Sequence, residues 1–235
     1  MENGINTIAV FGDSILKGIV TGTESGQMYD IAKGDSLTLA SQALGFELLN
    51  FSAFGNIVTK GQRTLERQLS RGLQADAVII ESGGNDCDRD WIAMSKDPGA
   101  SRDNRVPYSD FMRILDQMVQ TVRSHKMTPI LTTMPPLVYD RWFNTLCINA
   151  NPDVILDVLG HDKMNLYRIH EYYSLGILHY AHTHNVQLVD LRRELLTLPD
   201  YPEYMCLDGI HPNEKGYAFI ASIWQKELPL LKKEF

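Results

Sequence analysis

Five short stretches of the chain are almost uninterruptedly apolar: 5–11 (INTIAVF), 46–51 (FELLNF), 77–82 (AVIIES), 128–133 (TPILTT) and 186–191 (VQLVDL). A strand with one wet face alternates apolar and polar residues, whereas a strand covered on both faces does not. These runs therefore predict buried parallel strands. Between and after them the pattern changes period. Phe111, Ile114, Leu115, Met118 and Val122 recur at helical spacing, as do Tyr217, Ile220, Ala221, Trp224 and Leu228. Strand and helix alternate along the chain, which predicts an α/β protein with an open parallel sheet and helices on both faces. No internal repeat and no linker is visible, so 1–235 reads as a single domain, a size one core can serve.

Two segments break the expectation of short connections. They are the inserts at about 87–107 and 135–161, the second carrying Trp142, Phe143, Leu146 and Ile148. Both follow strand ends on the side where open parallel sheets bind ligands, so both are expected to be long loops that contribute to binding.

Composition narrows the function only a little. The net charge of −7 without a long basic run argues against nucleic acid as a partner. No run of about 20 apolar residues is present, so no stable membrane insertion is expected. The N-terminal MENGINT lacks a basic region followed by an apolar one, and so does not read as a secretory leader. Cys87, Cys147 and Cys206 are odd in number and widely spaced, which argues against a disulfide framework or zinc site and suggests a reducing, cytoplasmic compartment.

The chemistry begins where the first apolar run stops, at Gly12-Asp13-Ser14. The same tripeptide recurs at Gly34-Asp35-Ser36, followed by Leu37. Ser14 stands just beyond a strand and hence at the ligand-binding rim. Ser36 has no strand before it. There Asp35 or Ser36 suits the N-cap of a short helix that Gly45 ends. Ser14 is accordingly the expected nucleophile. A serine hydroxyl needs a base and donors for the oxyanion. Asp208 and His211, in LDGIHPN, supply a base and a carboxylate to orient it, although the same spacing suits a turn with a surface histidine or half of a metal site. Asn85, in GGND, and Gly55, in FGN, follow two further strands and offer a side-chain amide and an unobstructed backbone N–H. The Ser14 N–H is a third donor. His179, His182 and His184 form a cluster in a helical stretch and read as a helix face.

Taken together, FGDS, NFSAFG, GGND and DGIHPN stand in the order of the blocks of the SGNH (GDSL-type) hydrolases, which this sequence resembles over nearly its whole length. The blocks look most like those of small bacterial thioesterase/lysophospholipase-type and carbohydrate-esterase members. The resemblance implies a three-layer α/β/α, flavodoxin-like fold with a five-stranded parallel sheet. It implies ester or thioester hydrolysis with no metal or other cofactor. Ser14 would be the nucleophile, His211 the base, Asp208 its orienting carboxylate, and Ser14, Gly55 and Asn85 the oxyanion hole. The expected partner is a small-molecule ester, with short-chain or acetyl esters, including those on carbohydrate, favoured over long acyl chains. The alternatives are an acyl thioesterase or lysophospholipase with the same site, and an inactive ligand-binding relative. Trp142 and Phe143 are candidate substrate contacts, and Arg102, Arg105 and Arg141 candidate partners for an anionic group. Activity is expected to fall on acidification as the base takes up a proton.

Overall fold

All five apolar runs become strands of one sheet. The computed structural model describes residues 4–21 and 28–235, and the start of the N-terminal stretch weighed above as a leader lies outside them. In chain order the strands are β1 (Thr7–Phe11), β2 (Ile19–Thr21), β3 (Tyr29–Ile31), β4 (Glu47–Asn50), β5 (Ala77–Ile80), β6 (Thr128–Thr132) and β7 (Gln187–Val189). The main sheet has the order β4-β1-β5-β6-β7 and every pairing in it is parallel. The sequence patterning did not predict β2 and β3, which form a separate antiparallel pair.

The helices are α1 (Ser14–Lys17), α2 (Ser36–Leu44), α3 (Val58–Ser70), α4 (Trp91–Lys96), α5 (Tyr108–Ser124), α6 (Tyr139–Leu146), α7 (Pro152–Val158), α8 (Met164–Thr183), α9 (Leu191–Leu196) and α10 (Glu214–Glu227). Alternate residues of each strand feed opposite faces of the sheet. Ala9, Phe11, Val78, Ile80 and Leu131 pack with the buried sides of α3, α5 and α8. Ile8, Val10, Ala77, Ile79 and Ile130 pack with α2, α9 and α10, around the fully buried Trp224. This is the expected three-layer α/β/α architecture, and the strand order is that of a flavodoxin-like doubly wound sheet. The near-continuous hydrophobicity of the strands has its cause here, since both faces are covered by helices. Among the described residues, no helix is long and apolar enough to cross a membrane.

The inserts do not stay irregular. The first carries α4, and the second carries α6 and α7. Trp91 and Met94 from α4 meet Phe143, Leu146, Ile155, Leu159 and Leu166 in a small separate core above the sheet. Each insert alone has too few apolar residues to hold itself, but together they bury a common side.

Candidate active site

In a doubly wound sheet the strand order reverses at one point, and the loops leaving the carboxyl ends of the strands diverge there to leave a crevice. Here that point is β1, flanked by β4 and β5. The loop after β1 carries Ser14, the loop after β4 carries Gly55, and the loop after β5 carries Asn85. Three sequence blocks far apart in the chain thus meet because their strands are neighbours.

Asp13 caps α1, its Oδ1 accepting the Ile15 N–H at 2.8 Å, and this cap starts the helix at Ser14. The second Gly-Asp-Ser does the job expected of it. Asp35 accepts from Leu37 N and Thr38 N as the N-cap of α2, and Gly45 ends that helix in the left-handed region.

The last block arrives from the loop before α10. Asp208 Oδ1 accepts the backbone N–H groups of Ile210 and His211 at 3.0 and 3.1 Å, folding the loop on itself. Its Oδ2 lies 2.6 Å from His211 Nδ1, and His211 Nε2 lies 2.8 Å from Ser14 Oγ. All three side chains are buried. Burial alone would raise the Asp208 pKa, but the imidazole and the two amides outweigh it and hold the carboxyl below its ordinary value. A carboxylate accepts only, so His211 carries its proton on Nδ1 and presents the Nε2 lone pair to the serine hydroxyl. Tyr29 meets the edge of the imidazole at 5.3 Å between centroids, and Phe54 lies nearly parallel to it at 6.2 Å.

Asn85 is held by its own neighbour. One Nδ2 hydrogen goes to Asp13 Oδ2 at 3.0 Å, leaving the other for a ligand. Gly55 has φ +65, a conformation that side-chain-bearing residues rarely adopt, and nothing lies within 4 Å of where its Cβ would be. Its backbone conformation, rather than crowding, selects glycine there.

Beneath this surface lies a cluster of buried acids. Asp13, Glu81 and Asp86 are each at most 2% exposed. Glu81 Oε2 accepts the Asp13 N–H at 2.8 Å, and Asp86 accepts from Val58 N and Gly83 N at 2.8 and 2.9 Å. Burial raises all three pKa values, that of Asp86 to about 7. Glu81 is pushed well above the carboxylate range, first by burial and then by the charge of Asp13. A protonated Glu81 beside an ionised Asp13 is the arrangement that follows.

The serine, the histidine and Asn85 open on a cavity of about 310 Å³. Both tryptophans of the inserts, Trp91 and Trp142, line it, as do Asp88, Arg89 and Arg105. Of the two expected substrate contacts, Trp142 is therefore in the wall. Phe143 is not. It is 6% exposed in the insert core, with Lys163 Nζ 4.2 Å from its ring centroid. Adjacent helical residues point about 100° apart, so only one of the pair faces the cavity. Arg141 is also differently used. Its Nη1 donates to the carbonyls of Pro202, Met205 and Cys206, tying α6 to the loop that carries Asp208 and His211. Arg102 pairs with Asp157 on the surface. The histidine cluster behaves as a helix face: His179 and His182 are exposed and His184 stacks on Tyr180 at 4.1 Å.

The family model of GDSL-like lipases and acylhydrolases matches residues 10–219, which include all four blocks. The chain belongs to this family. As a GDSL-like hydrolase it shares its fold with solved structures of low sequence identity. The lipase/acylhydrolase from Enterococcus faecalis is 18% identical, with 98% of this chain and 100% of that one covered at a TM-score of 0.63. An acetyl xylan esterase, AlAXEase, is 20% identical over 94% of this chain and 99% of that one, at 0.62. The psychrotrophic esterase EstA from Pseudoalteromonas sp. is 16% identical over 96% and 97%, at 0.61. No curated protein sequence matches the chain. The GDSL-like hydrolase departs from what the residue pattern revealed in the walls of its cavity. Tyr29 comes from the unforeseen strand β3, and Arg89 and Trp91 from an insert read as an irregular loop.

Proposed function

We propose that the protein is a serine esterase that cleaves short-chain carboxylic esters through an acyl-serine intermediate. The observation that carries this reading is the unbroken chain of hydrogen bonds from Asp208 through His211 to Ser14, at 2.6 and 2.8 Å. Ser14 Oγ attacks the acyl carbonyl as Nε2 of His211 takes its proton. Asp208 fixes the ring and stabilises the imidazolium. The N–H groups of Ser14 and Gly55 and the free Nδ2 hydrogen of Asn85 receive the oxyanion. The imidazolium then gives its proton to the departing alkoxide, and water repeats the sequence on the acyl-serine.

The cavity favours a short or polar acyl group over a long plain chain. Its volume is near the lower end for ligand sites, and charged side chains of Asp88, Arg89 and Arg105 interrupt its apolar wall. An aliphatic tail laid against them would take charged groups out of water. The two tryptophans suit a flat or ring-shaped alcohol, and the acetyl xylan esterase among the structural relatives makes an acetylated carbohydrate a natural first substrate to try. The three unpaired thiols fit a reducing compartment.

A series of nitrophenyl esters of increasing acyl length tests the proposal. Turnover is expected to peak at two to four carbons, with a nitrophenol burst and fluorophosphonate labelling that both vanish in Ser14→Ala. A peak at eight carbons or more supports the thioesterase or lysophospholipase alternative. Absence of burst and labelling in the folded wild type removes the enzymatic reading.

A further inference from the structure

Arg89 stands in the wall of the cavity with no carboxylate in ion-pair contact among the described residues, although the charges of Asp88 and Asp103 reach it. The acid next to it, Asp88, is spoken for. Its Oδ2 lies 3.4 Å from Arg105 Nη2, and its Oδ1 accepts the indole N–H of Trp91 at 2.7 Å. Arg89 rests on the Trp91 ring, its guanidinium carbon 5.7 Å from the centroid. Two guanidinium nitrogens, Nε and Nη1, are closed off from solvent and have no hydrogen-bond partner. Burial lowers the Arg89 pKa, and the charges of Asp88 and Asp103 recover only part of the hydration it has lost. Unpartnered guanidinium nitrogens are expensive to bury, and since nothing in the cavity reaches the two that are closed off, Nη2 is the one left to meet an acceptor there.

A second group of the same wall adds to the picture. His170 lies within 2.5 Å of Arg192 Nη2 through its Nδ1. Arginine only donates, so Nδ1 accepts and the proton of the ring is on Nε2. His170 thus brings a further donor, and no acceptor, to the cavity it lines.

We propose that Arg89 recognises a carboxylate carried by the ester substrate, so that the preferred substrates are esters of anionic rather than neutral molecules. The Nη2 N–H is a charge-assisted donor suited to a carboxylate oxygen. A dianionic phosphate would face Asp88 across the same small space. This inference rests on the esterase reading of Ser14 and adds to it the substrate class and a specificity residue.

Two matched pairs test it. On the acyl side they are mono-para-nitrophenyl succinate and its succinamate counterpart. On the alcohol side they are para-acetoxybenzoate and para-acetoxybenzamide. Each pair is measured by kcat/KM in the wild type and in Arg89→Met, and by calorimetric binding to Ser14→Ala with and without Arg89→Met. A charge-assisted pair in a desolvated site is worth on the order of ten-fold. One carboxylate substrate is therefore expected to exceed its amide partner by about ten-fold or more in both measurements. Arg89→Met is expected to bring the ratio to within about two-fold of unity, and Arg89→Lys to leave it intermediate. The pair that responds tells which side of the ester carries the anion. Equal ratios in the wild type for both pairs, or a preference that survives Arg89→Met, overturn the proposal. Because binding is read on Ser14→Ala, loss of all hydrolysis in the wild type counts against the esterase reading and not against this one. Should Arg89→Met fail to fold, competition of monomethyl succinate against the neutral methyl succinamate for binding to Ser14→Ala with and without Arg89→Lys decides the same point, and an anion preference that the substitution leaves unchanged overturns the proposal.

Discussion

Neutral His211 has one proton for two ring nitrogens, and its usefulness depends on which nitrogen carries it. Asp208 sets this by accepting from Nδ1. Asp208→Asn presents an amide that can equally well donate, so the ring is free to turn its proton toward Ser14. The expected loss in kcat is on the order of 10⁴-fold, with the fold intact by circular dichroism. Asn85 makes a smaller contribution of another kind. Asn85→Ala removes one oxyanion donor and is expected to lower kcat on the order of 10²-fold, with KM for a nitrophenyl ester changed little. Glu81 acts through its neighbours. Its carboxyl accepts the Asp13 N–H, and Asp13 in turn holds both the start of α1 and the Asn85 amide. If Glu81 is protonated, as burial and the Asp13 charge dictate, glutamine reproduces it atom for atom as donor and acceptor. Glu81→Gln is expected to keep kcat within about five-fold of wild type, whereas Glu81→Ala leaves Asp13 unsupported and loses on the order of 10-fold or more. Equal damage from both variants would show that Glu81 serves as an anion.

At the scale of elements, α6 is the part of the insert on which the proposed catalysis depends, because it grips the loop that carries His211. Gly209 lies against it so closely that a Cβ would come within 2.5 Å of the Val138 carbonyl oxygen and 2.7 Å of the Trp142 nitrogen, at φ +78. Both obstacles are backbone and cannot swing aside. Gly209→Ala is therefore expected to push the Asp208–His211 loop off α6 and cut kcat by at least about 10²-fold, since an ångström-scale displacement of the base is enough. Exposed Arg102→Ala, on the other insert, is expected to change kcat less than two-fold and stability by at most about 0.5 kcal/mol. What was legible in the sequence follows the same division. The five strands showed because burial on both faces forces continuous hydrophobicity, and Ser14, Asn85, Asp208 and His211 showed because each sits in a short run of turn residues next to a strand or helix end. The helices α4, α6 and α7 were hidden because they bury apolar residues against one another rather than against the sheet. Nothing local in either insert announces the other. Phe143 and Trp142 looked equivalent for the same reason: only the docked helix decides which one faces the cavity. Arg89 was unreadable because its significance is the absence of a partner, a property of packing alone.

The molecule as a whole carries its buried acids as a dependence of stability on pH. A carboxyl at 3.8 in the unfolded chain and about 7 in the native protein, as for Asp86, remains protonated when folded over a range where the unfolded chain has already released its proton. Over that range the native state binds more protons, so stability falls as pH rises from about 4 to 7 and changes no further from this group above that. Each unit of difference is worth about 1.4 kcal/mol, so Asp86 alone accounts for on the order of 4 kcal/mol. Glu81 and Asp13 act in the same direction, because burial raises them as well. Asp208, Asp76 and Asp116 act in the opposite one. Their pKa values are lowered in the fold, so their contribution is present above about pH 4 and lost as pH falls further. Buried His170, whose pKa is lowered by burial and by the Arg192 charge, also opposes the buried acids, its contribution being lost as pH falls below about 6.5. The three buried acids outnumber it, so maximum stability is expected on the acid side of the optimum of an imidazole that must be unprotonated to act. Thermal unfolding followed from pH 4.5 to 8 is expected to show a falling Tm in the wild type. Glu81→Gln, which has no proton to lose at that position, is expected to give a shallower slope, with the two curves converging toward the acid end. A Tm that rises through this interval, or a slope that Glu81→Gln leaves unchanged, would mean that the acids behind Ser14 ionise in the native protein, and that Asp13 and Asn85 are held against a charge rather than by a shared proton.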